Sequence, residues 1–584
     1  MLQRAPTAYD DRIYGPDWRA WVDPEVPDEI APTALLLDRH LGTPVEHKTA
    51  LIVDGEAITY GALARLVAMV STGLVARGVA PEDRILLFGT DSLDYVAMWL
   101  GAVHAGAVPA VVSDLYKARE LLYFLRDTAA RLCFIDAEQL GKLEEIADEL
   151  PPSLQAIIVR GEAPPPLGPR ASRPHFPPPY PLPLAGEGRV GAGETPAVPG
   201  QGGEGAAKLG GRKVLPFAVI RDGGAANARP RPRHRNDVTY MFFSGGTTGT
   251  AKGITHLAHD FVLVPERHGR FWQYRETDVV FATSKKYFTH GLWPGLLIPL
   301  YWGATAVLMR GAPLPEPVLR MMAAAKVTKL ITVPTVLKNI LEHIRQSGTK
   351  PDFPALDFVA SASEKIPPEI FSRFHEQFGV ELFDSIGSSE ITYEWIANRP
   401  KEFKRGSLGK PIFGYEVRLV SPDGDVTEPN VPGEAWIKSK TACFFYWRKY
   451  DKSRETFVGE WTRTGDNLYF DEDGFFWFSG RNDDMFKVKG MWVAPIEIEA
   501  ALTGHPAVRE AAVVSFTDRD GFTKPMAYVV LRQGCVQSAS LIAELCAAVR
   551  PLGGYKMPER YEFIDELPRT TLMKIDRRAL RQRG

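Results

Sequence analysis

Between residues 51 and 112 the apolar positions switch repeatedly between two spacings. "TALIVDG" and "AITY" are short apolar runs bounded by turn residues, and read as strands. "GALARLVAMVSTGLVARG" repeats its apolar residues three and four apart, which predicts an amphipathic helix ending at Gly78. "RILLFG" then reads as a strand, "DSLDYVAMWLGAVHAG" as a helix and "AVPAVV" as a strand. Apolar strands alternating with helices imply βαβ units and a largely parallel sheet. The same rhythm returns from residue 279 to 358, where "TKLITVPT" and "LDFVASAS" read as buried strands.

The rhythm breaks in two places. Residues 161–200 hold 12 prolines and 7 glycines. That stretch has no helix or strand period and too little apolar content to bury, so 161–235 reads as one disordered insertion with an exposed basic end, "RPRPRHR". The second break falls near Arg481, after the hairpin-like "GEWTRTGDNLYFDEDGFFWFSG". Beyond it, "PIEIEAALTGHP", "AVREAAVVSF", "PMAYVVLR", "LIAELCAAVRPL" and "RYEFIDELP" form a compact αβ pattern of their own. The fold class is therefore α/β, with a large N-terminal domain over 1–481 and a small α+β domain over 482–584.

One uncharged stretch, "GLWPGLLIPLYWGATAVLM" at 291–309, is long enough to span a bilayer. Pro294, Pro299 and Gly303 interrupt it, so two buried elements joined at "YWGA" are expected, with no membrane association. The net charge of −2 carries no basic excess for nucleic acid. Cys133, Cys443, Cys535 and Cys546 show no metal-ligand spacing. Together with an N-terminus lacking an apolar leader core, this points to a reducing, cytoplasmic setting.

Candidate chemistry begins at "SGGTTGTAKG", residues 244–253. Successive backbone N–H groups with hydroxyls at Ser244, Thr247, Thr248 and Thr250 can cradle a polyphosphate. The lysine, Lys252, stands between Ala251 and Gly253. A Walker A loop needs Gly-Lys-Ser/Thr, and a Rossmann GxGxxG must open a helix at once, so neither fits.

Followed in order by "DSIGSSE", "EWTRTGD", "GRNDDMFKVKG" and a near-terminal lysine in "LPRTTLMKIDRRALR", this loop resembles the acyl-adenylate-forming superfamily over nearly the whole chain outside the insertion. "SKKYFTHGL", "SASEKIP", "DSIGSSE…ANRP" and "DDMFKVKGMWVAPIEIEAAL" look like its benzoate–CoA ligase branch. The resemblance implies a large domain of layered βαβ subdomains and a small mobile C-terminal domain. It implies an ATP-dependent acid–thiol ligase: acid, ATP and coenzyme A give acyl-CoA, AMP and diphosphate through an acyl-AMP, on benzoate or a substituted aromatic acid. Mg²⁺ is the implied cofactor, and a monomer or homodimer the implied state. An enzyme loading a carrier-protein phosphopantetheine, and a non-catalytic nucleotide-binding homologue, remain the alternatives.

Residue by residue, Thr247, Thr248, Gly249 and Lys252 match the loop that holds the β- and γ-phosphates. Ser363 and Glu364 of "SASEK", and Asp384, Ile386 and Gly387, match positions along the adenine site; Ser363 stands where the branch usually has glycine. Ser389 matches a residue beside the α-phosphate, and Glu390 the Mg²⁺ ligand. Asp466 would accept the ribose hydroxyls, assisted by Arg481. Thr289, His290, Tyr393 and Glu394 match the acyl pocket, with His290 at an aromatic gate. Tyr393 and Glu394 are more polar than the branch usually shows; a buried Glu394 needs a partner, which suggests a polar substituent on the substrate. Asp483 matches the hinge, and Lys487, Lys489 and Gly490 the face used for thioester formation. Lys574 matches the lysine that bridges carboxylate and α-phosphate. Three further positions depart from the pattern: Gly245 where serine is usual, Ala251 where proline is usual, and Met573 where glycine usually precedes the lysine.

Overall fold

The structure is a computed structural model that describes residues 11–161, 207–244, 251–363, 366, 368–489, 491–519, 521–570 and 574–583. Among these, two nine-stranded sheets lie back to back. In the first, the strands Val238–Ser244, Val108–Val112, Arg84–Phe88, Leu132–Asp136, Ala156–Arg160 and Arg212–Pro216 run parallel in that spatial order. In the second, Leu382–Gly387, Phe358–Ser361, Lys329–Thr332, Val279–Ala282, Thr305–Leu308 and Thr49–Val53 do the same.

These strands are apolar at almost every position because both faces are covered. Side chains alternate between faces, so in "RILLF" Ile85 and Leu87 enter the core shared by the two sheets, while Leu86 and Phe88 enter a second core outside. Val280 and Ala282 likewise face the shared core, and Phe281 the outer one. The helices Tyr60–Val75 and Leu93–His104 fill the space between the sheets. Thr59 and Ser92 start them by accepting backbone N–H groups from Ala62 and Tyr95.

The stretch 291–309 forms a short helical run up to Tyr301, a turn at Gly303 and the strand Thr305–Leu308, as its prolines and glycine imply. No helix among the described residues is long and apolar enough to cross a membrane.

The expectation for 161–235 needs correction. Residues 162–206 lie outside the described residues, but Arg212–Pro216 pairs parallel with Ala156–Arg160, and the helix Phe217–Arg221 follows it. Phe217 and Ile220 are buried. Gly73 admits the Ile220 carbonyl so closely that a Cβ there would lie 1.8 Å from it. The apolar set in "VLPFAVI" was masked by the proline-rich stretch before it. The basic end is also not solvated throughout: Arg233 is 4% exposed and donates to the carbonyls of Gly106 and Val238.

Past the parallel sheets, Trp461–Phe470 and Phe476–Arg481 form the expected hairpin within a six-stranded sheet. The C-terminal residues build a three-stranded sheet, Val508–Thr517, Thr523–Leu531 and Arg560–Phe563, covered by the helices Pro495–Thr503 and Ala539–Val549 and by Arg577–Arg583.

Candidate active site

In an open parallel sheet, ligands sit beyond the carboxyl ends of the strands. Here those ends carry Ser244, Thr283, Thr332, Ser361 and Gly387. The same region holds buried polar atoms with no partner: Ser244 Oγ, Ser361 Oγ, Ser388 Oγ, His290 Nε2 and the Tyr393 hydroxyl. Buried polar atoms are nearly always paired, and five of the fifteen unpaired ones among the described residues lie here, which is compatible with a ligand at the carboxyl ends.

Ser244 and Lys252 face each other across the hairpin that carries the phosphate loop. Thr247, Thr248 and Gly249, with Gly245, lie outside the described residues. Lys252 Nζ lies 3.4 Å from the Tyr446 hydroxyl and 4.6 Å from the centre of its ring. That hydroxyl donates to Glu390 Oε1 at 2.9 Å. Tyr446 therefore ties the candidate phosphate lysine to the candidate metal ligand. Burial first, then the Glu390 charge, push its phenol above the usual range.

Glu390 sits in the single turn Ser389–Ile391, which is held from two sides. His256 Nε2 lies 2.9 Å from the Ser389 carbonyl; a carbonyl only accepts, so this nitrogen carries a proton. The other ring nitrogen meets Asp260 Oδ2 at 3.1 Å. Thr392 has φ 77, rare for a β-branched residue, and is held there by its hydroxyl bond to the Thr441 carbonyl. No group of three or more His, Cys, Asp or Glu among the described residues could hold a metal ion unaided. A single carboxylate fits Mg²⁺ carried by a polyphosphate, since that ion takes its other ligands from phosphate oxygens and water.

Asp384 is buried in the strand before this turn and accepts the Ser385 N–H. Ile386 and Gly387 follow it. A Cβ on Gly387 would lie 2.5 Å from the Tyr393 carbonyl, so only glycine lets the chain fold back here. Ser363 is exposed and has φ 77, a conformation that favours glycine, which explains the residue usual at that position. Glu364 lies outside the described residues.

Asp466 and Arg481 are register partners in the long hairpin, with Arg481 Nη1 3.6 Å from Asp466 Oδ1. Burial raises the Asp466 carboxyl, Arg481 and then Lys574 lower it, and Glu390 raises it again. Arg481, Lys574 and Glu390 therefore lie within electrostatic reach of Asp466, with Arg481 in direct contact. The loop bearing Lys574 is closed by the bond from Thr570 N–H to the Lys574 carbonyl. Met573 lies outside the described residues.

Thr289 and His290 open a short helix and are both buried. His290 Nδ1 lies 3.2 Å from Ser284 Oγ, and burial pushes the ring down to about 4, so it is neutral at physiological pH. Its ring centre is 6.1 Å from that of Tyr393. Lys286, two residues before Phe288, is fully buried and anchored on Asp91. Glu394 does have the partner its burial demands, but inside the chain: Ser385 Oγ donates to Oε1 at 2.6 Å and Trp272 Nε1 to Oε2 at 3.1 Å. Burial pushes this carboxyl up to about 7.

Asp483 is exposed just after the hairpin, and its carbonyl accepts from Arg581. Its neighbour Asp484 pairs with Arg577 and Arg581. Lys487 and Lys489 are exposed on the hairpin Phe486–Val488 and Met491–Val493, Lys489 with φ 51; Gly490 lies outside the described residues.

The motifs pointed to neither Tyr446 nor His256. Tyr446 is 194 residues from Lys252 in sequence and reaches it only because their strands pair. The i, i+4 pair His256 and Asp260 was the one local signal.

Comparison with known proteins agrees with this geometry. The AMP-binding enzyme family profile matches residues 38–447, and the AMP-binding enzyme C-terminal domain matches 497–574. The chain is 32% identical over 566 residues to a benzoate–CoA ligase of Thauera aromatica, covering 95% of this chain and 97% of that one. It is 33% identical over 549 residues to a 4-hydroxybenzoate–CoA/benzoate–CoA ligase of Rhodopseudomonas palustris, covering 94% and 93%. Among solved structures, an anthranilate CoA ligase in complex with anthranoyl-AMP superposes with a TM-score of 0.81 at 32% identity, covering 96% and 98%. With two profiles and whole-length relatives in agreement, the chain belongs to the AMP-binding enzyme family, within the acyl-adenylate-forming superfamily and beside its benzoate–CoA ligases.

Proposed function

We propose that this chain is an ATP-dependent carboxylate–CoA ligase acting on aromatic acids. In the first half-reaction the acid's carboxylate attacks the α-phosphorus of ATP, forming acyl-AMP and releasing diphosphate. In the second the coenzyme A thiol attacks the acyl carbon and AMP leaves. The observation that carries this reading is the meeting of Lys252 and Glu390 through Tyr446, with Asp466, Arg481 and Lys574 alongside.

Both reactants of the first step are anions, so the barrier falls where fixed positive charge faces them. Lys252 and the phosphate loop hold the β- and γ-phosphates. Lys574 stands between the carboxylate and the α-phosphate, and lowers their repulsion. Asp466 takes the ribose hydroxyls and Arg481 keeps it ionised against its burial. Asp384, Ile386, Gly387, Ser363 and Glu364 border the adenine, and Ser389 the α-phosphate. Mg²⁺, held by Glu390 and the phosphates, neutralises charge on the polyphosphate when bound. Thr289, His290 and Tyr393 line the acyl pocket, and Glu394 supports it from behind through Ser385 and Trp272.

The domain boundary falls at 481/482, with Asp483 as hinge. The Lys574 charge acts on Asp466, which supports an arrangement suited to adenylation. Rotation about the hinge would exchange Lys574 for the face bearing Lys487, Lys489 and Gly490, and admit the thiol. The enzyme works in the cytoplasm as a monomer or homodimer, which sedimentation of the purified chain would test.

The test is incubation of the full chain with ATP, Mg²⁺, coenzyme A and a set of benzoates. Equal amounts of AMP and acyl-CoA support the reading. ADP as product contradicts it, and acyl-AMP without thioester points to a carrier-protein acceptor instead.

A further inference from the structure

We infer that His256 and Asp260 are positioning residues for the adenylation step: Asp260 fixes the His256 ring, and the ring fixes the turn that carries Ser389 and Glu390. The inference rests on the ligase reading above.

Alternate side chains of the strand Lys252–Leu257 share a face, so Lys252, Ile254 and His256 look the same way. Lys252 meets Tyr446, and Ile254 packs with Cys443 and Tyr446. His256, four residues on, meets the turn Ser389–Ile391. One strand therefore supplies the lysine proposed for the β- and γ-phosphates. About 13 Å further along it supplies the imidazole behind the residues proposed for the α-phosphate and Mg²⁺.

His256 and Asp260 are each 1% exposed. Strand pairing sets Tyr240 opposite His256, and the two rings stack 4.8 Å apart with 10° between their planes. Tyr240 also donates to Asp260 Oδ2 at 2.8 Å, the same oxygen that meets His256 Nδ1. The other carboxyl oxygen of Asp260 lies 3.4 Å from His259 Nε2. His256 Nδ1 is also 3.2 Å from the Thr392 hydroxyl, whose proton goes to the Thr441 carbonyl. The stack fixes the plane of the imidazole and Asp260 fixes its rotation within that plane. Its Nε2–H is left aimed at the Ser389 carbonyl, 2.9 Å away. A carboxylate that orients an imidazole from behind is a recurring way to set the geometry of a site one shell further in.

The turn is pinned at successive atoms. His256 holds the Ser389 carbonyl, the Glu390 carbonyl accepts the Cys443 N–H at 2.7 Å, and Glu390 Oε1 accepts the Tyr446 hydroxyl. Of these three anchors, only His256 stands on the strand that also carries Lys252. Its loss lets the Ser389 end of the turn shift relative to that lysine, and so changes where the α-phosphate and the metal meet the chain.

The test replaces His256 by two amides of different reach. In His256→Asn the amide meets Asp260 and stops short of Ser389; in His256→Gln it reaches Ser389. Diphosphate release by the full-length chain in a single turnover with an aromatic acid and MgATP should fall about tenfold or more in His256→Asn. Thioester formation from pre-made acyl-AMP and coenzyme A should stay within about threefold. Equilibrium dialysis should show MgATP bound about fivefold or more less tightly by the same variant. His256→Gln should return both quantities to within about threefold of the unaltered chain. Thermal unfolding checks that the variants are folded; where His256→Asn is not, His256→Phe, which keeps the stack on Tyr240, is read in the same way. Equal loss in both half-reactions, or unchanged MgATP affinity, marks a merely structural pair and overturns the inference. His256→Gln no better than His256→Asn overturns the assignment to the Ser389 bond. No diphosphate release by the unaltered chain with any aromatic acid overturns the ligase reading, and the inference with it.

Discussion

At the scale of single residues, Tyr446 shows how much of the site depends on side chains that no motif contains. Its hydroxyl receives Lys252 on one side and donates to Glu390 on the other, so it sets the spacing of the two charges proposed to meet the polyphosphate. Tyr446→Phe keeps the ring and removes the link. A hydrogen bond to a charged group is worth about 1.5–3 kcal/mol, so KM for MgATP should rise roughly tenfold or more, while KM for the acid stays within about twofold. Steady-state diphosphate exchange at varied MgATP reads both. Glu394 gives a second expectation. Its free carboxyl titrates near 4.5 and the folded one near 7, so the folded state holds the proton to higher pH. Its stabilising contribution is complete below about pH 4.5, declines as pH rises and is lost above about 7. The span corresponds to about 3 kcal/mol at 1.36 kcal/mol per pH unit. Glu394→Gln should remove that dependence in unfolding measured from pH 5 to 8. Of the two, the sequence made only Glu394 visible, and that in part. A buried glutamate demanded a partner, but Ser385 and Trp272 could be found only from how the strands pair and where the helix Asp260–Phe271 ends. Tyr446 left no local trace at all.

At the scale of elements, the parallel strands were legible because burial on both faces writes a continuous apolar run, and the helices because one face writes a period near four. "RILLF" and "TALIV" needed no tertiary information. What the pattern could not separate was the ordered end of the insertion from its proline-rich part. Arg212–Pro216 and Phe217–Arg221 are each five residues long, too short to show a period, and their apolar residues were averaged with the composition before them. Their burial predicts that they belong to the cooperative fold. Ile220→Ala, at a fully buried position against the Gly73 helix, should destabilise by about 2–5 kcal/mol. Denaturant unfolding checks this, and a change below about 0.5 kcal/mol would mean the element is peripheral. The strained turn through Thr392 belongs at this scale too. Its φ of 77 was invisible in "SSEITYE", where nothing but threonine marks the place.

At the scale of the whole molecule, a polar contact joins the two parts of the chain. Lys338, on the helix Pro334–Ser347, reaches the Arg509 carbonyl in the C-terminal sheet at 3.3 Å. Within the C-terminal part, by contrast, Arg577 holds both Asp484 and Glu499, so the segment after the proposed hinge moves with its domain. The two proposed half-reactions call for two lysine-bearing faces, one with Lys574, whose charge acts on Asp466, and one with the exposed Lys487 and Lys489. The order of motifs along the chain made this division legible, since each lies in a stretch with its own spacing. The sequence carried no information on which face is turned inward, because that depends on contacts between distant surfaces. The measurement that bears most directly on the account separates the half-reactions in Lys574→Ala. Adenylation, followed as diphosphate release in a single turnover, should fall by about a hundredfold or more, as loss of a charge at a reacting anion pair requires. Thioester formation from pre-made acyl-AMP and coenzyme A should stay within about threefold of the unaltered chain. Equal loss in both half-reactions, or none in the first, would contradict it.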